Sequence, residues 1–359
     1  MSIADAAAGI SEREIAGLFA SFPHSGRVIL AVSGGADSTA LMVLAQRWRR
    51  RRGRGPELVA ATVDHGLRRG SRVEAKAVSA LARRLGLDHE ILPWRGAKPK
   101  TGIEAAAREA RYRLLAQLAR RLDAGAIATA HTLDDQAETV LMRLAAGSGP
   151  AGLAGMRPSD VRHGIVLLRP FLGLRKTRLV ATLARAGIAW FDDPMNEDPA
   201  FARARLRAAS AVLAREGLTA ERVARLAARM ARAEDALAAA ASEAQRRIAD
   251  PKRPGHLDGR ALAAAPEEIA LRLLAAEIVS AGAPCAAEKP LRLQRLEALW
   301  DELRAAIAAG RATRRTLGQA LITVDREAGV SITVAPPRRT GAVSRGRRNA
   351  AKHPFTKPR

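Results

Sequence analysis

The sequence predicts a doubly wound α/β domain with a parallel sheet, followed by a mainly helical accessory domain that closes on a small β-hairpin. Three observations carry this expectation. Short apolar runs alternate with helical patterns through the first half of the chain, the composition turns to Ala, Arg and Leu at helical spacing after Gly217, and the last two apolar runs flank a turn at residues 325–329. Regular alternation of strand and helix implies parallel strands joined by right-handed crossovers. A chain of 359 residues also exceeds what one core usually serves, so at least two domains are expected. Their expected limits are 1–210 for the α/β domain, 211–336 for the helical domain with its hairpin, and 337–359 for a basic, disordered tail.

Residues 11–21 read as a short amphipathic helix with Ile15, Leu18 and Phe19 on one face. Residues 28–32 are the first strand, which breaks into Ser33-Gly34-Gly35-Ala36-Asp37-Ser38 before a helix that starts at Thr39 and runs to about Arg52, closed by Gly53 and Gly55. The paired glycines permit positive φ and let backbone N–H groups close on an anion at the positive end of the helix. Phosphate is the natural guest. Neither a Walker A ending nor G-x-G-x-x-G is present.

Residues 57–63 are the second strand, with Asp64-His65-Gly66-Leu67-Arg68-Arg69 at its carboxyl end, where ligands gather in such sheets. A helix over 71–85, a strand over 87–92, a helix over 102–122 and a fourth strand over 126–130 follow. Directly beyond comes His131-Thr132-Leu133-Asp134-Asp135-Gln136-Ala137-Glu138-Thr139, with helix resuming from Asp134 to Ala145. A strand order of 3-2-1-4-5 makes the first and fourth strands neighbours, so the Gly-Gly loop and this acidic segment face one another. The Gly-rich stretch 147–155 reads as a mobile loop, 165–169 as the fifth strand, and 175–186 as a helix. Helices over 218–248, 266–281 and 291–309 then lead to the hairpin strands 319–324 and 330–334.

Lys and Arg number 60 against 36 Asp and Glu, a formal charge of +24 that points to a polyanionic partner. Arg47, Arg49, Arg50, Arg51, Arg52 and Arg54 crowd one helix end, and the tail from Arg338 carries eight cations and no acid. A solvated helix end or tail is the alternative reading of each run. Cys285 is the only cysteine, which excludes disulfides, zinc knuckles and C-x-x-C chemistry within the chain. Asp5, Glu12 and Glu14 sit where a signal peptide needs a basic start and apolar core, and no stretch approaches a membrane span. A cytoplasmic protein with no membrane partner is expected.

Asp135 and Glu138 are three apart on a helix, and Asp134 and Glu138 four apart, so these acids share a face. Asp134 is expected to cap its helix. Asp135 and Glu138 are assigned function, because carboxylates facing a phosphate loop can hold Mg²⁺, or bind a cationic amine and accept its proton. His131 is either a packed histidine or a group that stabilises charge on a leaving group, the second being favoured beside a polyphosphate. Arg108 and Arg111 line a solvated helix face or grip phosphate bidentately.

The loop Ser33 to Ser38 resembles the SGGxDS signature of the PP-loop ATP pyrophosphatases, which cleave ATP between the α- and β-phosphates. DHGLR at 64–68, AREARY at 107–112, HTLDDQAET at 131–139 and DDPMNEDPAFARARLR at 192–207 are similar to the ordered blocks of tRNA(Ile)-lysidine synthases, with Met195 standing where that family's run would place Ser. The resemblance implies a Rossmann-like PP-loop domain and a ligase with ATP and Mg²⁺ as cosubstrate and cofactor. It would adenylate the C2 oxygen of the wobble cytidine in the CAU anticodon of tRNA(Ile), expel pyrophosphate, and let the ε-amine of L-lysine displace AMP to leave lysidine. Ser33, Gly34, Gly35, Ala36, Asp37 and Ser38, with Arg108 and Arg111, would bind ATP, and Asp37 would help place the metal. Asp135 and Glu138 would receive lysine and help supply a neutral amine. Arg203, Arg205 and Arg207 would meet the RNA, with Arg205 at the developing charge, and Asp37, His131, Asp135 and Glu138 completing the catalytic set. The cytosine would have to leave its anticodon stack. A homodimer is an open alternative to a monomer.

Three rivals stand beside this reading. A PP-loop tRNA thiolase would be basic and would adenylate a base, yet those enzymes rely on paired cysteines or a cluster. An amidating PP-loop synthetase needs an ammonia source and gives no reason for the net charge of +24. A catalytically silent RNA-binding protein explains the charge and leaves Asp37, Asp135 and Glu138 unexplained.

Overall fold

The computed structural model describes residues 9–66, 70–99, 101–192, 202–282 and 291–336. The expectations placed on Leu67 to Arg69, on Asp193 to Phe201 with Met195, and on the basic tail lie outside the described residues. The chain divides into two compact units, Met1–Ala236 and Leu237–Arg359.

The first unit is built on β1 (Arg27–Ala31), β2 (Glu57–Asp64), β3 (Asp88–Pro93), β4 (Ala124–Ala128), β5 (Ser159–Arg162) and β6 (Ile165–Leu168), ordered β3-β2-β1-β4-β6-β5. All neighbours pair in parallel except β5 with β6. The expected order is present in β3-β2-β1-β4-β6, and β5 adds an antiparallel edge. That edge is four residues long, three of them polar, and its two-residue turn has both His163 (φ 51°) and Gly164 (φ 76°) in positive φ, the conformation tight hairpins require.

Successive side chains of a strand point to opposite faces, and β1 shows what this does here. Val28 and Leu30 enter the layer formed with helices α1 (Glu12–Leu18), α2 (Ala36–Arg52) and α7 (Lys176–Arg185), against Phe19, Leu41, Leu44 and Leu179. Ile29 enters the other layer, against Tyr112, Leu115 and Leu118 of α4 (Ile103–Arg121). α3 (Ser71–Arg84) contributes Val78 and Ala82 to the first layer. Both faces of the sheet are therefore covered at its centre, and the ends of the central strands are where polar side chains can meet a ligand.

α2 begins three residues earlier than expected, at Ala36, and stops where Gly53 takes the left-handed conformation. The arginines at its end are partly used within the fold, since Arg47 and Arg51 both pair with Glu12 and Arg52 lies over Trp48. α5 (Leu133–Ala145) is followed by the stretch expected to be a mobile loop, and this expectation is corrected: it contains a short helix, α6 (Pro150–Leu153), and it is tied down. Gln136 exchanges two hydrogen bonds with the Met156 backbone (2.9 and 2.7 Å), and Arg143 donates to the carbonyls of Gly152 and Gly155. The arginine block after residue 201 forms helix α8 (Ala202–Arg215), and α9 (Ala220–Ile248) packs Val223 and Ala227 on Ala137 and Val140 of α5. The division between the two units falls within α9.

The second unit contains α10 (Gly259–Ala264), α11 (Glu267–Gly282) and α12 (Leu293–Ala308), with a four-stranded antiparallel sheet. Its strands are β7 (His256–Asp258), β8 (Thr313–Leu317), β9 (Ala320–Val324) and β10 (Gly329–Val334), in the order β7-β10-β9-β8. The expected hairpin is β9 and β10, its turn held by Asp325, whose Oδ1 accepts from the N–H groups of Glu327 (2.9 Å) and Gly329 (2.7 Å). Trp300, Leu303, Leu274 and Ile322 are at the centre of this unit's core.

Candidate active site

The carboxyl ends of β1, β2 and β4 open into a cavity of about 370 Å³. Its floor is the Gly-Gly loop. Gly34 takes φ 94°, and a Cβ there would press on Val78 Cγ2 (3.2 Å) and Phe191 Cδ2 (3.3 Å), so any side chain at this position is strained. The Phe191 N–H donates to the Gly34 carbonyl (3.0 Å) and fixes the loop from outside. Within it, Ser38 Oγ accepts from the Ser33 N–H (3.1 Å), lies 3.1 Å from Ser33 Oγ, and donates to the Gly35 carbonyl. Gly35 is the N-cap of α2, and no side chain caps the helix, so its positive end faces the cavity.

Asp37 stands in the first turn of α2. Burial is the main cause that raises its carboxyl to about pKa 6, opposed by Lys176 and assisted by Asp135. Its Oδ2 is 3.3 Å from Lys176 Nζ, while its buried Oδ1 has no hydrogen-bond partner.

The facing segment comes from β4 and α5. Thr132 and Asp135 form a reciprocal capping box: Asp135 Oδ2 accepts from the Thr132 N–H (2.8 Å), and the Thr132 hydroxyl accepts from the Asp135 N–H. Asp134, expected to cap this helix, does something else. Its Oδ2 accepts from the Lys176 backbone N–H (2.8 Å) and its Oδ1 from Arg175 (2.6 Å), so it caps the start of α7. The reason is local: Thr132 already supplies the cap of α5 and leaves Asp134 free to point outward.

Glu138 is 8% exposed and sits behind the cavity lining. Arg207 of α8 holds it bidentately, Nε on Oε1 and Nη2 on Oε2 (3.1 Å), and reaches Asp135 Oδ1 at 3.5 Å. Burial raises the Glu138 carboxyl above its ordinary value, against the lowering by Arg207. Arg207, expected at the RNA, is thus turned inward onto the two acids. Arg203 lines the same cavity, whereas Arg205 is exposed and does not. Helical geometry explains this division, since residues four apart share a face and those two apart point to nearly opposite sides.

His131 lines the cavity, with Nδ1 2.9 Å from Thr129 Oγ1. Burial above all, then the nearby arginines, lower its pKa to about 3, with Asp135 acting in the opposite sense. It is neutral at physiological pH, so what it offers a leaving group is a hydrogen bond and no positive charge.

Arg108 and Arg111 of α4 line the cavity. Among the described residues neither they nor Arg203 forms an ion pair. Burial is the first cause that lowers both guanidinium pKa values, and Arg203 adds to it in each case. A cluster of unneutralised arginines is a built demand for an anion. Among the cavity residues given no role in the sequence reading are His65, lowered to about pKa 4 mainly by burial, with Arg111 Nη2 3.4 Å from its Nε2; Phe191; and Lys176. The sequence signal for Lys176 is a cation at the first residue of a helix, where the dipole disfavours it.

A family profile describing a PP-loop domain matches residues 8–212. A tRNA(Ile)-lysidine synthase of Methylobacterium nodulans is 55% identical, the match covering 88% of this chain and 93% of that protein. The chain belongs to the tRNA(Ile)-lysidine synthase family. A relative of the same name from Bradyrhizobium sp. is 51% identical over 92% of this chain and 96% of its own length. Among solved structures, the U34-tRNA thiolase NcsA from Methanococcus maripaludis matches with a TM-score of 0.53 and 15% identity, covering 64% of this chain and 80% of that one, which speaks for the fold alone. The loop from Ser33 to Ser38 lies within the matched PP-loop domain. Among the described residues no helix is long and apolar enough to cross a membrane.

Proposed function

We propose that this chain uses ATP to ligate lysine to C2 of the wobble cytidine in the CAU anticodon of tRNA(Ile), forming lysidine with release of pyrophosphate and AMP. The observation that carries the reading is one cavity in which an uncapped helix N-terminus and unneutralised arginines meet the Asp135 carboxylate, with Glu138 directly behind it. An amidating enzyme would need no such acids for ammonia. A thiolase would need the cysteines this sequence lacks.

In this reading the cytosine O2 attacks the α-phosphorus, the bond to the β-phosphate oxygen breaks, and pyrophosphate departs with the electron pair. The loop N–H groups, Ser33, Ser38, Arg108 and Arg111 hold the phosphates. The unpartnered Oδ1 of Asp37 fits Mg²⁺, and since no cluster of three metal-binding side chains exists among the described residues, phosphate oxygens would supply further ligands. Bound there, the ion would neutralise phosphate charge. Asp135 and Glu138 take the ε-ammonium and accept its proton, because only the neutral amine has a lone pair for C2. The amine then forms the C2–N bond while the C2–O bond to AMP breaks. Arg203 would meet the AMP phosphate or the RNA backbone, Arg207 would do so once lysine displaces it from Glu138, and exposed Arg205 would keep an RNA-facing role. Residues 1–210 are the catalytic part of this proposal, and 211–336 grip the tRNA.

The test is direct. The protein is incubated with ATP, Mg²⁺, radiolabelled lysine and a CAU-bearing tRNA(Ile) transcript; label must enter the RNA as AMP and pyrophosphate form. If ATP binds and lysine never enters the RNA, the reading fails. Sedimentation of the protein with this tRNA separates one copy from a homodimer.

A further inference from the structure

The side chain of Lys176 is out of place as a structural residue. It occupies the first position of α7, a helix with no acid of its own in the first turn, where the helix dipole opposes a cation. The Asp134 bonds hold the start of α7 through the Lys176 backbone N–H and the Arg175 guanidinium, so the fold anchors this segment without using the ammonium. The ammonium instead reaches into the cavity to Asp37 Oδ2, a single 3.3 Å contact on a side chain 48% exposed. A lone half-exposed ion pair stabilises a fold by about 0–1 kcal/mol. The same carboxylate keeps its other oxygen unbonded.

We infer that Lys176 is a phosphate-binding residue of the ATP site, one that neutralises Asp37 in the free protein and transfers its ammonium to the β- and γ-phosphates when ATP enters. This rests on the ATP-dependent reading above. Three features favour the polyphosphate over the α-phosphate or the amino acid. The ammonium stands beside the first turn of α2, where an uncapped N-terminus already awaits an anion. An ammonium is a compact, mobile point charge on a flexible stem, suited to follow a departing group, whereas the fixed guanidinium forks of Arg108 and Arg111 suit one static geometry. Finally, the lysine substrate is a cation, and an enzyme cation beside Asp37 keeps that ammonium from settling on the wrong carboxylate. As the bond from the α-phosphorus to the bridging oxygen breaks, the electron pair moves to that oxygen on pyrophosphate, and the Lys176 ammonium offsets the charge gathered there.

Equilibrium binding to the whole protein tests this without turnover. The probes are AMP, inorganic pyrophosphate and an ATP analogue with a methylene group between the α- and β-phosphorus. Lys176→Met is expected to weaken the analogue and pyrophosphate by about tenfold or more, the scale of one charge-assisted hydrogen bond, and to change AMP by less than about twofold. Lys176→Arg should recover most of the loss. Equal weakening of AMP and the analogue would overturn the assignment, as would unchanged binding of both. A fall in thermal stability shared by K176M and K176R, with wild-type affinities, would show a structural residue. Failure of lysine to enter the tRNA in the wild-type assay would instead strike the lysidine reading, while the binding comparison would still stand or fall on its own.

Discussion

Arg207 lays its guanidinium across Glu138, Nη2 3.1 Å from Oε2, and the acid beneath it is nearly inaccessible. The two carboxylates assigned to the lysine ammonium are thus already partnered, and lysine must displace or share this arginine. Removing either member separates the roles. Glu138→Gln keeps the shape but loses the charge, so lysine incorporation is expected to fall by about a hundredfold, while tRNA-dependent release of pyrophosphate persists. Arg207→Ala leaves a buried carboxylate unpaired and should lower stability by about 2 kcal/mol, below the full cost of a buried pair because the arginine is 38% exposed. Urea midpoints and the two product assays check both outcomes; parallel loss of pyrophosphate and lysidine in the glutamine variant would place Glu138 in the adenylation step instead.

Gly34→Ala is a test of the loop by geometry alone. Its φ of 94° disfavours any side chain, and the new methyl would press on Val78 and Phe191. Strain of about 1–3 kcal/mol is expected, released by a loop shift that misplaces the phosphate-binding N–H groups. ATP affinity should fall at least as steeply as stability, as read by calorimetry and thermal unfolding. Wild-type ATP binding in this variant would show that the loop does not hold phosphate.

Asp134→Ala probes the link between the two halves of the site. The aspartate bonds Arg175 and the Lys176 N–H across separations of 41 and 42 residues, so its loss should cost about 1–2 kcal/mol and loosen the start of α7. Weaker binding of the methylene ATP analogue should follow, through Lys176, and Asp134→Asn should restore part of it. An Ala variant with unchanged urea midpoint would leave Asp134 without the capping role assigned to it.

These residues also show how far a single sequence reaches. The loop Ser33 to Ser38 was legible because strand, paired glycines and helix are consecutive, whereas alternation implied parallel strands and left the order β3-β2-β1-β4 as a supposition that the sheet bears out. That order brings Asp135 to the loop. The spacing of Arg203 and Arg207 shows a shared face but not what the face meets, because that depends on how α8 packs on α5. Lys176 was hidden for the same reason, since its position is set by Asp134, far away in the chain. β7 and β8 escaped because three residues are too few for a pattern, and Thr-Arg-Arg-Thr-Leu is an exposed edge with no alternation to read.

His131 makes stability depend on pH in a direction that can be worked out. Its folded pKa of about 3 lies below the ordinary 6.5, so between those values the unfolded chain binds a proton that the folded protein refuses. Stability must then fall as pH drops below 6.5, by up to about 1.4 kcal/mol per pH unit for this one proton. From pH 7 to pH 5 the loss amounts to roughly 2 kcal/mol. His131→Asn preserves a donor or acceptor for Thr129 near the position of Nδ1 and removes the titration, so its stability should decline less over the same interval. Urea unfolding of both proteins at several pH values gives the comparison. Parallel curves would mean that the imidazole takes up its proton as readily in the folded protein as in the unfolded chain, so that it could carry charge in mildly acidic solution, whereas a flatter curve for the asparagine variant confines its part in the reaction to a neutral hydrogen bond.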